Sequence, residues 1–206
     1  MKKQVLYIHG GDSYSKHEDF LQALRTMPIR NLPGAETKSF WPATLAEDLG
    51  DDFEVFSPSM PNKQNARYEE WKIWFERHLE FIRDEVTLVG WSLGGVFLAK
   101  YLSENKFPHK IKSLYILGAP SGEVKPHSSG EDCASFLFNM DKLSDLSQQV
   151  KEVNIWHSKD DFVVPYEEFL NYRNHLEEAN LVSFEDKNHF LLTEFPELVE
   201  GIRSKY

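Results

Sequence analysis

Residues 90 to 95 read Gly90-Trp91-Ser92-Leu93-Gly94-Gly95. The apolar run at 86–89 precedes them, and the nearly all-apolar run at 95–102 follows them. The first run predicts a buried strand and the second a buried helix. A serine flanked by glycines two positions on either side, between a strand and a helix, is typical of the turn that presents a nucleophilic serine. We therefore predict that Ser92 projects from a tight turn, where Gly90 and Gly94 let the strand and the helix approach each other.

Working outward from this turn, strands and helices alternate along the chain. Further apolar runs predict strands at 5–8, 53–56, 111–117, 153–156 and 181–184. Helical periodicity appears at about 18–27, 71–82 and 166–176, and again from about residue 196. This alternation predicts an α/β fold with a mostly parallel sheet of about six strands and helices on both faces. We expect one domain over 1–206, with a candidate small cap at about 121–139, where the alternation is interrupted.

Composition limits the classes of partner and the compartment. The 206 residues carry 23 Lys and Arg against 33 Asp and Glu, a formal charge of −10. This acidic balance argues against nucleic acid and anionic membranes as partners. No stretch reaches the roughly 20 apolar residues of a membrane helix. Cys133 is the only cysteine, so no intramolecular disulfide can form, and we expect a cytoplasmic protein.

A serine hydroxyl becomes a good nucleophile when a base takes its proton, and an acid then orients that base. In chain order the acid should follow the serine and precede the histidine. His189, just after the sixth predicted strand, is our candidate base, and the acid should follow the fifth strand. Two adjacent aspartates, Asp160 and Asp161, lie there. We favour Asp161, because it precedes the Val-Val-Pro run by a short turn, and we keep Asp160 as the alternative.

The negative charge that develops on a reacting carbonyl oxygen needs two backbone N–H donors. We expect one from Leu93, the residue after the serine, at the start of the predicted helix. The other should come from the loop after the first strand, His9-Gly10-Gly11. Gly11 is our first choice for that donor and Gly10 the alternative.

Other residues bear on cofactor, metal and packing roles. The glycines at 10 and 11 lack the third glycine of a dinucleotide site, and no phosphate-loop lysine follows them. The eight histidines show no zinc spacing, so we predict neither a metal nor a cofactor. We expect Cys133 to be inert and the aromatic residues at 71–75 to be core. The stretch 40–42 fits a pocket lining and a loop packed on the sheet equally well.

On these residues the chain resembles the α/β-hydrolase superfamily, from His9-Gly10-Gly11 through Ser92 and Asp161 to His189. More closely it resembles the compact YdeN-like serine hydrolases, which are related to the retinoblastoma-binding serine hydrolases. Its short length, the Pro61-Asn62 segment and the run at 158–161 carry that closer resemblance. The resemblance implies a small esterase-like enzyme with a Ser-Asp-His triad and little or no lid. Two positions depart from the family pattern: Trp91 stands where histidine is frequent, and Asn188 where glycine is usual.

We therefore expect a serine hydrolase that cleaves a small carboxylic ester, thioester or activated amide through an acyl-enzyme on Ser92, Asp161 and His189. The alternative is a binding or regulatory protein that keeps the scaffold without turnover. Acyl transfer and peptide cleavage could use the same residues. The expected partner is a small ester-type substrate, and the sequence leaves the oligomeric state open.

Overall fold

The computed structural model describes residues 1–29, 39–122 and 132–206. Six strands form one sheet in the order β2-β1-β3-β4-β5-β6. They are β1 (Lys3–Ile8), β2 (Phe53–Phe56), β3 (Val86–Trp91), β4 (Ile111–Leu117), β5 (Val153–Ser158) and β6 (Asn180–Phe184). Every pairing is parallel. The predicted parallel sheet is therefore confirmed.

The α-helices in the described ranges lie between the strands or after the last one. They are α1 (His17–Thr26), α2 (Leu45–Leu49), α3 (Tyr68–His78), α4 (Leu93–Glu104), α5 (Leu143–Ser147), α6 (Tyr166–His175) and α7 (Pro196–Arg203). The sequence did not reveal α2 and α5, because a helix of five residues is too short to show periodicity. No helix in these ranges is long and apolar enough to cross a membrane.

Two apolar clusters fill the two faces of the sheet. Alternate side chains of β1 point to opposite faces, so Leu6 and Ile8 join one cluster while Val5 and Tyr7 join the other. The larger cluster packs buried residues of α3, α4 and α6 against the sheet, and the smaller one packs those of α2 and α7. This arrangement confirms helices on both faces.

Trp71 and Phe75 belong to the larger cluster, as predicted, and Trp74 is half-buried against it. Trp41, in the stretch 40–42, is 1% exposed and lies in the smaller cluster within a short 3₁₀ helix, Trp41–Ala43. Of the candidate cap, residues 123–131 lie outside the described part of the chain. Its described end contains the 3₁₀ helix Ala134–Phe136.

The strand that leads to Ser92 is two residues longer than expected. Gly90 and Trp91 continue β3, because they pair with Ile116 and Leu117 of β4. Ser92 is therefore the first residue after the pairing of β3 with β4 ends. All six strands run in the same direction, so their carboxyl ends and the residues that follow them lie along one edge of the sheet.

Candidate active site

Ser92 occupies the turn between β3 and α4 with φ 55° and ψ −124°. A positive φ is uncommon for a residue with a Cβ and costs conformational energy. The Ser92 backbone N–H donates to the carbonyl oxygen of Leu117 at 2.8 Å, which anchors the turn to β4. The residue as a whole is half-buried.

Steric contacts explain why glycine occupies the positions two residues before and two residues after Ser92. A Cβ at Gly90 would lie 2.5 Å from the carbonyl oxygen of Gly94, which is backbone and cannot move aside. A Cβ at Gly94 would lie 2.7 Å from the carbonyl oxygen of His9 and closer still to that of Ile8. The helix and the end of β1 therefore meet in backbone contact. The contact at Gly90 is the close approach of β3 and α4 that the motif predicted, whereas the contact of Gly94 with β1 was not predicted.

Two backbone segments reach the region of Ser92. Leu93 is the first residue of α4, so its N–H has no acceptor within the helix. On the other side, a Cβ at Gly10 would lie 3.0 Å from the Ser92 Cβ and 3.5 Å from its Oγ. The N–H of Asp12 donates to the carbonyl of Lys63 at 2.8 Å and is therefore already engaged. Asp12 is thereby excluded as a donor, and the donors at Leu93 and Gly11, with Gly10 as the alternative to Gly11, stay predictions.

His9 fixes the peptide that contains the Gly11 N–H. The N–H of Met60 donates to His9 Nε2 at 2.8 Å, so the ring hydrogen is on Nδ1, which donates to the Gly10 carbonyl at 2.6 Å. Burial lowers the pKa of His9, and this favours the neutral ring that the arrangement requires. A trans peptide points its carbonyl and its N–H in opposite directions, so the Gly11 N–H faces away from His9. The sequence indicates His9 only as part of the His-Gly-Gly motif, and this orienting contact has no local signal.

Asp161 and His189 lie in direct contact. His189 Nδ1 is 2.8 Å from Asp161 Oδ2, and the carboxylate side chain has no exposed surface. The other oxygen, Oδ1, accepts hydrogen bonds from the N–H groups of Val163 and Val164 at 2.8 and 2.9 Å. The backbone thus orients the carboxylate, which in turn orients the imidazole.

A second histidine, His157, lies behind that carboxylate. Its Nε2 is 3.0 Å from the carbonyl oxygen of Val164, to which it donates, and 3.6 Å from Asp161 Oδ2. Burial lowers the pKa of His157, so the ring is held neutral. Neither periodicity nor a motif indicates this contact in the sequence.

Asp160 contacts the same loop as Asp161 at a different place. Its Oδ1 accepts from Ser158 Oγ at 2.5 Å and from the N–H of Asn188 at 2.8 Å. Ser158 Oγ in turn accepts from the N–H of Lys187 at 2.9 Å. Asp161 therefore meets the ring of His189, whereas Asp160 binds the backbone just before it.

Ser92 and His189 both lie against the segment at the end of β4, at the consecutive residues Leu117 and Gly118. Ser92 bonds to Leu117, and a Cβ at the next residue, Gly118, would lie 3.4 Å from His189 Nδ1 and 3.3 Å from Asp161 Oδ2. A side chain at Gly118 would therefore press on the histidine and aspartate pair. Asn188 has φ 42°, which confirms the positive φ that asparagine in place of glycine suggested.

The remaining point concerns Cys133 and the side chains that could bind a metal ion. Cys133 is buried at 4% exposure, in the larger apolar cluster. Across the described ranges, no group of three or more histidine, cysteine or acidic side chains is placed to hold a metal ion.

Comparison with known proteins gives the family. Residues 32–141, more than half of the chain, match the family model described as alpha/beta hydrolase fold. The chain is also similar to serine hydrolase RBBP9 of Rattus norvegicus, with 24% identity over 153 residues, which cover 74% of this chain and 77% of that protein.

Solved structures agree on the fold. The product of the ydeN gene from B. subtilis superimposes with a TM-score of 0.74 at 20% identity, covering 99% of this chain and 98% of that one. An esterase domain from a Rhodothermus marinus protein gives 0.57 at 17% identity, covering 98% and 86%. At such identities the similarity shows the fold alone. Together with the family-model match it confirms the resemblance found in the sequence, and the chain belongs to the α/β-hydrolase fold family.

Proposed function

We propose that the chain is a serine hydrolase that cleaves carboxylic esters of small molecules through an acyl-enzyme. The observation that carries this proposal is the 2.8 Å contact between His189 Nδ1 and a fully buried Asp161, beside the turn that presents Ser92. Because Nδ1 faces Asp161, Nε2 is the ring nitrogen left for the serine hydroxyl. The similarity to a protein named a serine hydrolase supports the same class of chemistry.

In the proposed reaction Ser92 Oγ attacks the ester carbonyl carbon while His189 Nε2 takes the hydroxyl proton. The N–H groups of Leu93 and Gly11 stabilise the oxyanion. His189 then gives its proton to the leaving oxygen, which departs as an alcohol. Water attacks the acyl group with His189 again as base, releasing the carboxylic acid and restoring Ser92. Asp161 holds the imidazole in the required tautomer throughout and stabilises the imidazolium.

The test is labelling of the folded protein with a fluorophosphonate, followed by mass measurement of the intact chain and of the modified peptide. We expect one adduct on Ser92, none on Ser92→Ala, and hydrolysis of p-nitrophenyl acetate that is lost in the same variant. Thioester and anilide analogues of the same acyl group define the bond type. A folded wild-type protein that neither labels nor hydrolyses esters overturns the proposal and favours a binding or regulatory role on the same scaffold.

A further inference from the structure

The backbone on either side of His189 is conformationally strained. Asn188 and Phe190 have φ of 42° and 53°, and neither is glycine. Residues with a Cβ adopt such values where the surrounding structure holds them there. The contacts that hold this loop therefore matter for where the His189 ring points.

Two tryptophan side chains bind consecutive carbonyl groups of the loop. Trp91 Nε1 donates to the carbonyl oxygen of His189 at 2.9 Å, and Trp41 Nε1 donates to that of Phe190 at 3.0 Å. The main-chain N–H of Trp41 also donates to the carbonyl of Leu192 at 2.9 Å. An indole N–H can only donate, so each bond fixes the direction of one peptide plane.

The two tryptophans differ in what they connect. Trp41 lies in the smaller apolar cluster, where it also packs against Tyr7 and Phe195. Trp91 is the last residue of β3 and directly precedes Ser92. Its ring lies 5.7 Å from the His189 ring, centre to centre. One side chain thus joins the turn of the candidate nucleophile to the backbone of the candidate base.

We propose that Trp91 is a positioning residue for His189. Its indole N–H holds the peptide between His189 and Phe190 in the orientation that keeps Phe190 at positive φ. Without that bond the same peptide is held only through its N–H, which donates from Phe190 to the carbonyl of Lys187 at 2.9 Å. The peptide can then tilt about this single bond, which relieves the strain at Phe190 and turns the His189 ring away from Asp161. This inference rests on the proposed function, in which the ring must bridge Asp161 and Ser92.

The first of two variants removes only the hydrogen-bond donor. Benzothienylalanine incorporated at position 91 replaces the indole N–H by sulfur and keeps the ring, and Trp91→Phe serves as the second variant. We expect fluorophosphonate labelling of Ser92 to slow about tenfold in both, because a small misplacement of a catalytic group has a large effect on rate. With p-nitrophenyl acetate the loss should fall on kcat rather than KM. The low-field proton resonance of His189 Nδ1–H should shift or broaden, which a general loss of stability would not produce in the folded protein.

Trp74→Phe is the matched control, because Trp74 Nε1 is buried and has no hydrogen-bond partner among the described residues. It should leave the labelling rate and the His189 resonance unchanged. If wild-type protein labels and the position 91 variants match its rate and its resonance, Trp91 is not a positioning residue and the proposed function stands. If wild-type protein does not label, the proposed function fails, and the resonance alone decides whether Trp91 orients the ring.

Discussion

The backbone N–H of Asn188 donates to Asp160 Oδ1 at 2.8 Å, one residue before His189 meets Asp161 at the same distance. Two adjacent carboxylates thus serve one loop in two ways. One binds the main chain and the other binds the imidazole.

This division predicts unequal effects of two matched substitutions. Asp161→Asn places an amide against His189 Nδ1, which disfavours the tautomer that the reaction needs, so labelling of Ser92 should fall by about a thousandfold or more. Asp160→Asn keeps an oxygen that can accept from Asn188, so labelling should fall tenfold or less. Rates from intact-protein mass spectrometry compare the two, and a larger loss in Asp160→Asn would reverse the assignment of the acid.

The backbone conformation of Ser92 predicts an unusual order of stability. At φ 55° and ψ −124° a residue with a Cβ is strained, whereas glycine is not. Ser92→Gly should therefore be more stable than Ser92→Ala by about 1 kcal/mol, even after the greater entropy of unfolded glycine is counted. Urea denaturation of the two inactive variants measures the difference. Equal stability, or a more stable alanine variant, would mean that the turn carries no strain.

The contact between α4 and the end of β1 predicts a steric penalty at Gly94. An alanine there meets the backbone carbonyls of Ile8 and His9, so Gly94→Ala should lower the free energy of unfolding by about 3 kcal/mol. Gly201→Ala is the comparison: its Cβ would crowd the side chains of Tyr115 at 3.2 Å and Trp156 at 3.3 Å, a milder contact than one with fixed backbone, and the alanine gains helix propensity. Thermal or urea unfolding provides the comparison. A Gly94→Ala protein as stable as Gly201→Ala would contradict the close approach.

His157 predicts how stability depends on pH. Burial lowers its pKa below the ordinary value of 6.5, so the unfolded chain takes up this proton before the folded chain does. The contribution of neutral His157 to the free energy of unfolding is therefore fully present above about pH 6.5. It is lost as the pH falls through the folded-state pKa of His157, by at most about 1.4 kcal/mol per pH unit.

His157→Gln tests this dependence, because its amide can donate to the Val164 carbonyl without titrating. The slope of the unfolding free energy against pH should become shallower than in wild type below pH 6.5. The exposed His17→Gln is the control and should keep the wild-type slope. An unchanged slope in His157→Gln would show that this histidine titrates alike in both states.

The strand positions and the turn at Ser92 could be predicted because each has a local signal. β2 and β4 have the predicted bounds, because each is a short segment rich in apolar residues between polar or turn-forming ones. The glycines around Ser92 form a local sequence signal. They are needed because a Cβ at Gly90 or Gly94 would collide with backbone. The helices α2 and α5 left no such signal, because five residues make little more than one turn.

Contacts between distant residues could not be predicted from the sequence. The place of Asp161 before the Val-Val-Pro run favoured it over Asp160, but the contacts that separate the two aspartates are made with a loop 28 residues later. The bond from Trp91 to His189 spans 98 residues, and the contact between His157 and Asp161 depends on a turn geometry without a motif. Sequence patterns indicate which residues follow strands, whereas side-chain partners emerge from the packing of the loops.

The order of the strands has a consequence for heat resistance. Ser92 follows β3, which has a neighbour on each side, whereas His189 follows β6, which bonds only to β5 and has no fully buried residue. Local unfolding requires less free energy at an edge strand than at the centre of the sheet. On warming, we expect fraying of this edge to separate the candidate base from the candidate nucleophile while the two cores are still packed. Loss of the proposed activity should then precede the loss of the native circular dichroism spectrum.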